Sequence, residues 1–135
     1  MNPAAKPQAA PAVLVIDDDE IMRDLMADWL EAAGYRVVKA ADCDDAMEQV
    51  KALRPAVVVT DMFMPGPCAE AAIAEIREAV PGVAIVAVSG HFNSGHRMCG
   101  QKAIAAGANR ALAKPVKRSE FLKAIAELAG PAAAR

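Results

Sequence analysis

Three runs of consecutive aliphatic residues constrain this chain more than any other feature: Val13-Leu14-Val15-Ile16, Val57-Val58-Val59 and Val83-Ala84-Ile85-Val86-Ala87-Val88. A strand with one wet face alternates apolar and polar residues, whereas an unbroken β-branched run suits a strand buried on both faces. Such strands belong to parallel sheets with helices packed on either side. The segments between the runs supply those helices. Ile21, Met22, Leu25, Met26, Trp29 and Leu30 recur at helical spacing until Gly34 stops the pattern. Ala46, Met47, Val50 and Leu53 form a second stripe, which Asp42 is placed to cap. Ala72, Ile73, Ile76 and Val80 form a third, closed by Pro81-Gly82, and Phe121, Leu122, Ile125 and Leu128 mark a last helix.

Two weaker strands complete the pattern, at Arg36–Ala40 and at 109–113, and a short helix is expected over 101–106. The stretch from His91 to Gly100 resists assignment. Hydrophobic residues make up 55% of the 135 and aromatic ones 4%, so the core is built from Val, Ile, Leu, Met and Ala. Five βα units with right-handed crossovers give an α/β, doubly wound, flavodoxin-like fold, its five parallel strands in the order 2-1-3-4-5. The expected organisation is one domain over 12–129, with Pro- and Ala-rich tails at 1–11 and 130–135.

The strand ends carry the chemistry. The first run ends in Asp17-Asp18-Asp19, the third strand in Asp61, the fourth in Ser89, and the fifth leads into Lys114-Pro115. Open α/β sheets bind ligands at the carboxyl ends of their strands, at the point where the strand order reverses. In the order 2-1-3-4-5 that point lies between the first and third strands, which brings Asp17, Asp18 and Asp61 together. Clustered carboxylates repel one another and add nothing to a core, so they point to a bound cation. A hard divalent ion such as Mg²⁺ takes one or two carboxylates together with phosphate oxygens and water. A carboxylate beside it can attack phosphorus, with Lys114 neutralising the transferred group and Ser89 bonding to one of its oxygens. Asp19 and Glu20 instead suit the N-terminus of the first helix, where acids are favourable.

These residues, with Met62-Phe63-Met64-Pro65-Gly66 after Asp61 and Ala106-Gly107-Ala108 ahead of Lys114, resemble the receiver domain of two-component response regulators over about 12–129. The resemblance implies Asp61 as phosphoacceptor and a Mg²⁺ ion held by Asp17, Asp18, Asp61 and the Phe63 backbone carbonyl. It implies Ser89 as the switch hydroxyl, Lys114 as the partner of the phosphoryl group and a cis Lys114–Pro115 bond. It also implies that Phe63 and His91 border the phosphoryl group and tune access of water to it. The implied phosphodonor is a histidine kinase or histidine phosphotransfer protein, and the implied output an unknown partner protein or onward phosphotransfer.

Two departures stand out. Pro67-Cys68-Ala69 replaces the Asp-Gly pair that usually follows the Met-Pro-Gly segment, and Ala111 stands where the family carries the aromatic ring that moves with the switch hydroxyl. The loss of that ring makes a phosphorylation-independent docking module the rival reading. A Mg²⁺-dependent phosphohydrolase is a third, disfavoured because Phe63 occupies the place of the second acid that such enzymes carry two residues beyond their nucleophile. The chain is therefore read as a signalling switch and not as an enzyme.

The formal net charge of −2 and the absence of a Lys/Arg stripe argue against a nucleic-acid partner. No apolar run approaches the roughly 20 residues a membrane span needs, and residues 1–7 lack a signal-peptide core. Three cysteines without a Cys-x-x-Cys pair fit a reducing cytoplasm. His91, His96 and Cys99 match no zinc spacing. With no further domain expected after residue 129, output falls to a protein partner, and a weak homodimer is compatible with the pattern.

Overall fold

The computed structural model describes residues 12–61, 69–89, 104, 107–113 and 116–129. Its elements run β1 (Ala12–Ile16), α1 (Glu20–Ala32), β2 (Arg36–Ala40), α2 (Cys43–Leu53), β3 (Val57–Asp61), α3 (Ala69–Ala79), β4 (Ala84–Ser89), β5 (Arg110–Ala113) and α4 (Arg118–Ala129). All five strands are parallel and lie in one sheet in the order β2-β1-β3-β4-β5. The order read from the run spacing is the order found. The helix expected over 101–106 falls almost wholly outside the described residues; within them, the Gly107 N–H donates to Ile104 O at 3.1 Å.

Successive strand residues point to opposite faces, and the core divides accordingly. Leu14, Ile16, Val58, Ile85 and Ala87 pack under α2 and α3 with Ala46, Val50, Ile73 and Ile76. Val13, Val15, Val57, Val59, Val86 and Val88 pack on the other face with Met26 and Leu30 of α1 and Phe121 and Ile125 of α4. Every residue of β1 and β3 is buried, and burying each Val, Leu or Ile is worth roughly 1.5–3 kcal/mol before chain entropy is subtracted. Trp29 and Tyr35 are packing residues: the Trp29 and Phe121 rings lie 5.9 Å apart and tilted, joining α1 to α4, and Tyr35 is buried beside them.

Two members of the α1 stripe are not in the core. Ile21 is 78% exposed and Leu25 39%. At about 100° per residue Ile21 stands about 140° around the helix from Met26, so the buried face, centred on Met26 and Leu30, excludes it. β4 also begins one residue later than the apolar run suggests, at Ala84, and takes in Ser89. Asn109 precedes β5 yet still pairs with β4: its backbone N–H donates to Ile85 O at 2.7 Å, and its side-chain Oδ1 accepts from Ile85 N at 2.9 Å.

The amino edge of the sheet is tied by Arg77, near the end of α3. Its Nη1 donates to Val83 O and to Pro81 O (3.3 Å), and its Nη2 to Gly107 O and Asn109 Oδ1 (both 2.6 Å). One guanidinium thus fastens the α3–β4 turn to the segment entering β5. Gly107 reaches that carbonyl with φ +128°, in a region L side chains rarely adopt.

Candidate functional site

Register places the site. Ile16 pairs with Thr60 across β1 and β3, so the next residues, Asp17 and Asp61, leave neighbouring strand ends side by side. Asp61 still belongs to β3 and pairs with Val88, and Ser89 pairs with Ala113. The carboxyl edge therefore presents Asp17, Asp61, Ser89 and Ala113 in a row, with Asp18 on the turn above Asp17. Ligand oxygens of Asp17, Asp18 and Asp61 all lie within 4.8 Å of one another. Asp17 and Asp61 are buried and Asp18 is exposed. Three carboxylates on a crevice with one side open to water suit a hard divalent cation that keeps some of its hydration, so the residues present fit such an ion.

The turn carrying two of these acids is held at several points. Asp17 N donates to Ala40 O at 3.2 Å, which ties the end of β1 to the end of β2. Asp19 N donates to Asp17 Oδ1 at 2.9 Å, and Asp19 Oδ1 accepts from Ile21 N at 3.0 Å as the N-cap of α1. Asp19 is thus a capping residue, as its place before the helical stripe implies, and it also orients Asp17. Arg23, one turn into α1, donates from Nη1 to Asp17 O at 2.7 Å. Thr60, 1% exposed, donates from Oγ1 to Asp61 O at 3.3 Å.

Of the site residues expected from sequence, Asp17, Asp18 and Asp61 are brought together. Ser89 stands at the end of β4, one strand over, with its side chain outside the described residues. Lys114, Phe63, His91 and the Lys114–Pro115 bond also fall outside them. Ala111 is half-buried in β5 and pairs in register with Ala87 of β4. Arg23 and Thr60 were not anticipated. Their acceptors are main-chain carbonyls, which leave no mark in sequence, although an arginine six residues after a strand-end acid was a signal that could have been followed.

The chain belongs to the response regulator receiver domain family, whose model matches residues 13–126; it is a receiver domain of two-component signalling. It is 33% identical over 114 residues to the chemotaxis protein CheY of Thermotoga maritima, a match covering 84% of this chain and 92% of that protein. It is 35% identical over 107 residues to the C4-dicarboxylate transport transcriptional regulatory protein DctD of Rhizobium meliloti, and there it spans 23% of the relative's length. Among solved structures, the receiver domain of NtrX from Brucella abortus superposes with a TM-score of 0.79 at 31% identity, covering 87% of this chain and 97% of that one. A response regulator from Burkholderia pseudomallei, described with a phosphorylated aspartic acid and a calcium ion, superposes with a TM-score of 0.76 at 27% identity, covering 87% and 66%. Among the described residues no helix is long and apolar enough to cross a membrane.

Proposed function

We propose that the chain, with its receiver domain over 12–129, is a cytoplasmic phosphoacceptor switch charged on Asp61 by a histidine kinase or histidine phosphotransfer protein. A carboxylate oxygen of Asp61 forms a new bond to phosphorus as the donor's P–N bond breaks, and the donor imidazole leaves carrying the bonding electron pair and takes up a proton. Asp17, Asp18, Asp61 and the Phe63 carbonyl would hold Mg²⁺, which would supply positive charge to the phosphoryl oxygens. Asp17 and Asp18 keep that cation at the crevice, Lys114 neutralises a further oxygen, and Ser89 donates a hydrogen bond to the group once it has arrived. The acyl phosphate shifts a two-state equilibrium that a partner protein reads, or the phosphoryl group passes onward.

The observation that carries this reading is the meeting of three carboxylates within 4.8 Å at the β1 and β3 strand ends. A phosphorylated aspartate and a divalent cation in the Burkholderia pseudomallei regulator support it by likeness. The alanine pair Ala87–Ala111 favours one rival, a docking module that works without phosphorylation, because no ring stands there to move.

Intact mass after incubation with Mg²⁺ and acetyl phosphate separates the two. One added phosphoryl group on the wild type and none on Asp61→Asn is the expected result. Absence of an adduct on protein that binds Mg²⁺, with rapid hydrolysis excluded by early quenching, would transfer the assignment to the docking module.

A further inference from the structure

We propose that Arg23 is a positioning residue for the acidic crevice: by holding the Asp17 carbonyl it keeps the Asp17-Asp18 turn in its cation-binding arrangement and so sets affinity for Mg²⁺. This rests on the reading of Asp17, Asp18 and Asp61 as cation ligands.

The geometry isolates one contact. Asp17 leaves β1 with its N–H bonded to Ala40 O, its Oδ1 bonded to Asp19 N and its carbonyl bonded to the Arg23 guanidinium at 2.7 Å. The first two contacts fix where Asp17 sits on the sheet and where its carboxylate points. The third fixes the plane of the Asp17–Asp18 peptide, and with it the direction in which exposed Asp18 projects. Arg23 is itself anchored, since its backbone N–H donates to Asp19 O at 2.9 Å in the first turn of α1. The guanidinium therefore braces the end of β1 against the start of the helix. Mutual repulsion pushes the carboxylates apart when no cation is present, and the brace resists that opening.

Arg23 exerts two opposed effects on a bound cation. Its positive charge repels the ion, while its hydrogen bond presets the ligands. The bond goes to a main-chain carbonyl and not to a carboxylate, and the side chain is only half-buried, so solvent screens the charge more than the contact. Ordering wins. Partners that orient metal ligands from outside the coordination shell change affinity by roughly 10–100-fold when removed, and a single brace of this kind belongs at the low end.

Calorimetric titration of the full chain with Mg²⁺ tests this, using wild type, Arg23→Ala, Arg23→Lys and Asp18→Asn, with thermal unfolding confirming that each variant is folded. Arg23→Ala is expected to bind Mg²⁺ about tenfold more weakly, and Arg23→Lys, which keeps one donor and the charge, to recover most of the loss. Removal of a cation from beside an ion site tightens binding by charge alone, so unchanged or tighter binding by Arg23→Ala overturns the proposal. Hydrogen exchange at the Asp19 amide without metal is the second readout: it should quicken in Arg23→Ala and return in Arg23→Lys, and unchanged protection also overturns it. Failure of the underlying reading looks different, because Asp18→Asn would then bind Mg²⁺ as the wild type does.

Discussion

At the amino edge of the sheet the one guanidinium of Arg77 meets four neutral acceptors, whereas at the carboxyl edge three carboxylates bring their oxygens within 4.8 Å of one another. Both arrangements concentrate charge near strand ends, and they do opposite things for the fold. The Arg77 charge spreads over carbonyl and amide oxygens that would otherwise need water, so it joins α3, the α3–β4 turn and the entry to β5. The acids at the other edge gain no such complement from one another. Their mutual repulsion opposes folding, and a cation seated among them relieves it. The same sheet thus has an edge where charge builds structure and an edge where charge is kept for a ligand. The interior of β1 and β3, buried along its whole length, makes that second edge tolerable.

The contrast breaks if Arg77 is dispensable. Arg77→Ala leaves the carbonyls of Pro81, Val83 and Gly107 without their charged donor, a loss of about 3 kcal/mol, and chemical denaturation should show the same loss with and without Mg²⁺. A cost that appeared only with Mg²⁺ present would mean that the two edges are coupled. The acidic edge is probed by Asp18→Asn. Without divalent cation it should raise stability by about 1 kcal/mol, the scale of one like-charge contact near 4 Å in water. In the wild type, Mg²⁺ at a hundred times its Kd should add about 2.7 kcal/mol, and the variant should lose most of that gain. Destabilisation of metal-free protein by Asp18→Asn would show that the carboxylates were not opposing the fold.

A smaller effect sharpens the picture away from both edges. Burial pushes the Tyr35 phenol above its ordinary value of 10.0, and the hydrogen bond from Lys39 to Asp24, with the attraction between them, pushes Lys39 above 10.5. Both groups hold their protons more tightly folded than unfolded. Their contribution is complete below those ordinary values and is lost as pH rises through the higher folded ones. A stability profile in alkaline buffer should therefore fall from about pH 10, and Tyr35→Phe should flatten its first part. Lys39 and Asp24 are exposed, so added salt should weaken their share.

The sheet order and the meeting of Asp17, Asp18 and Asp61 were legible because strand period and crossover handedness together leave few topologies. Once β1 and β3 were neighbours, the acids that follow their apolar runs had to converge. Asp42 was legible as a cap for the same local reason: its carboxylate accepts from Asp45 N at 2.8 Å, three residues on. What stayed hidden is what side chains do to distant main-chain atoms. Arg77 reaches Gly107 and Asn109 across some thirty positions, and no residue pattern announces a carbonyl acceptor. Ile21 and Leu25 share the apolar spacing of α1 but stand outside its buried arc, because hydrophobic period sets a direction on the helix and not the width of the contact. Asn109 completes its pairing through a side chain, so strand propensity misplaces the start of β5.

Trp29 has an optical consequence. It is the chain's single tryptophan, and it rests against Phe121 on the face away from α2 and α3. At 1.5 Å per residue it lies about 14 Å along α1 from the capped end beside Asp18. Its emission therefore reports the seating of α1 on α4 and is blind to an ion that merely fills the crevice. A change of fluorescence on phosphorylation would accordingly be a signal of helix displacement, and a silent titration would say nothing against occupancy.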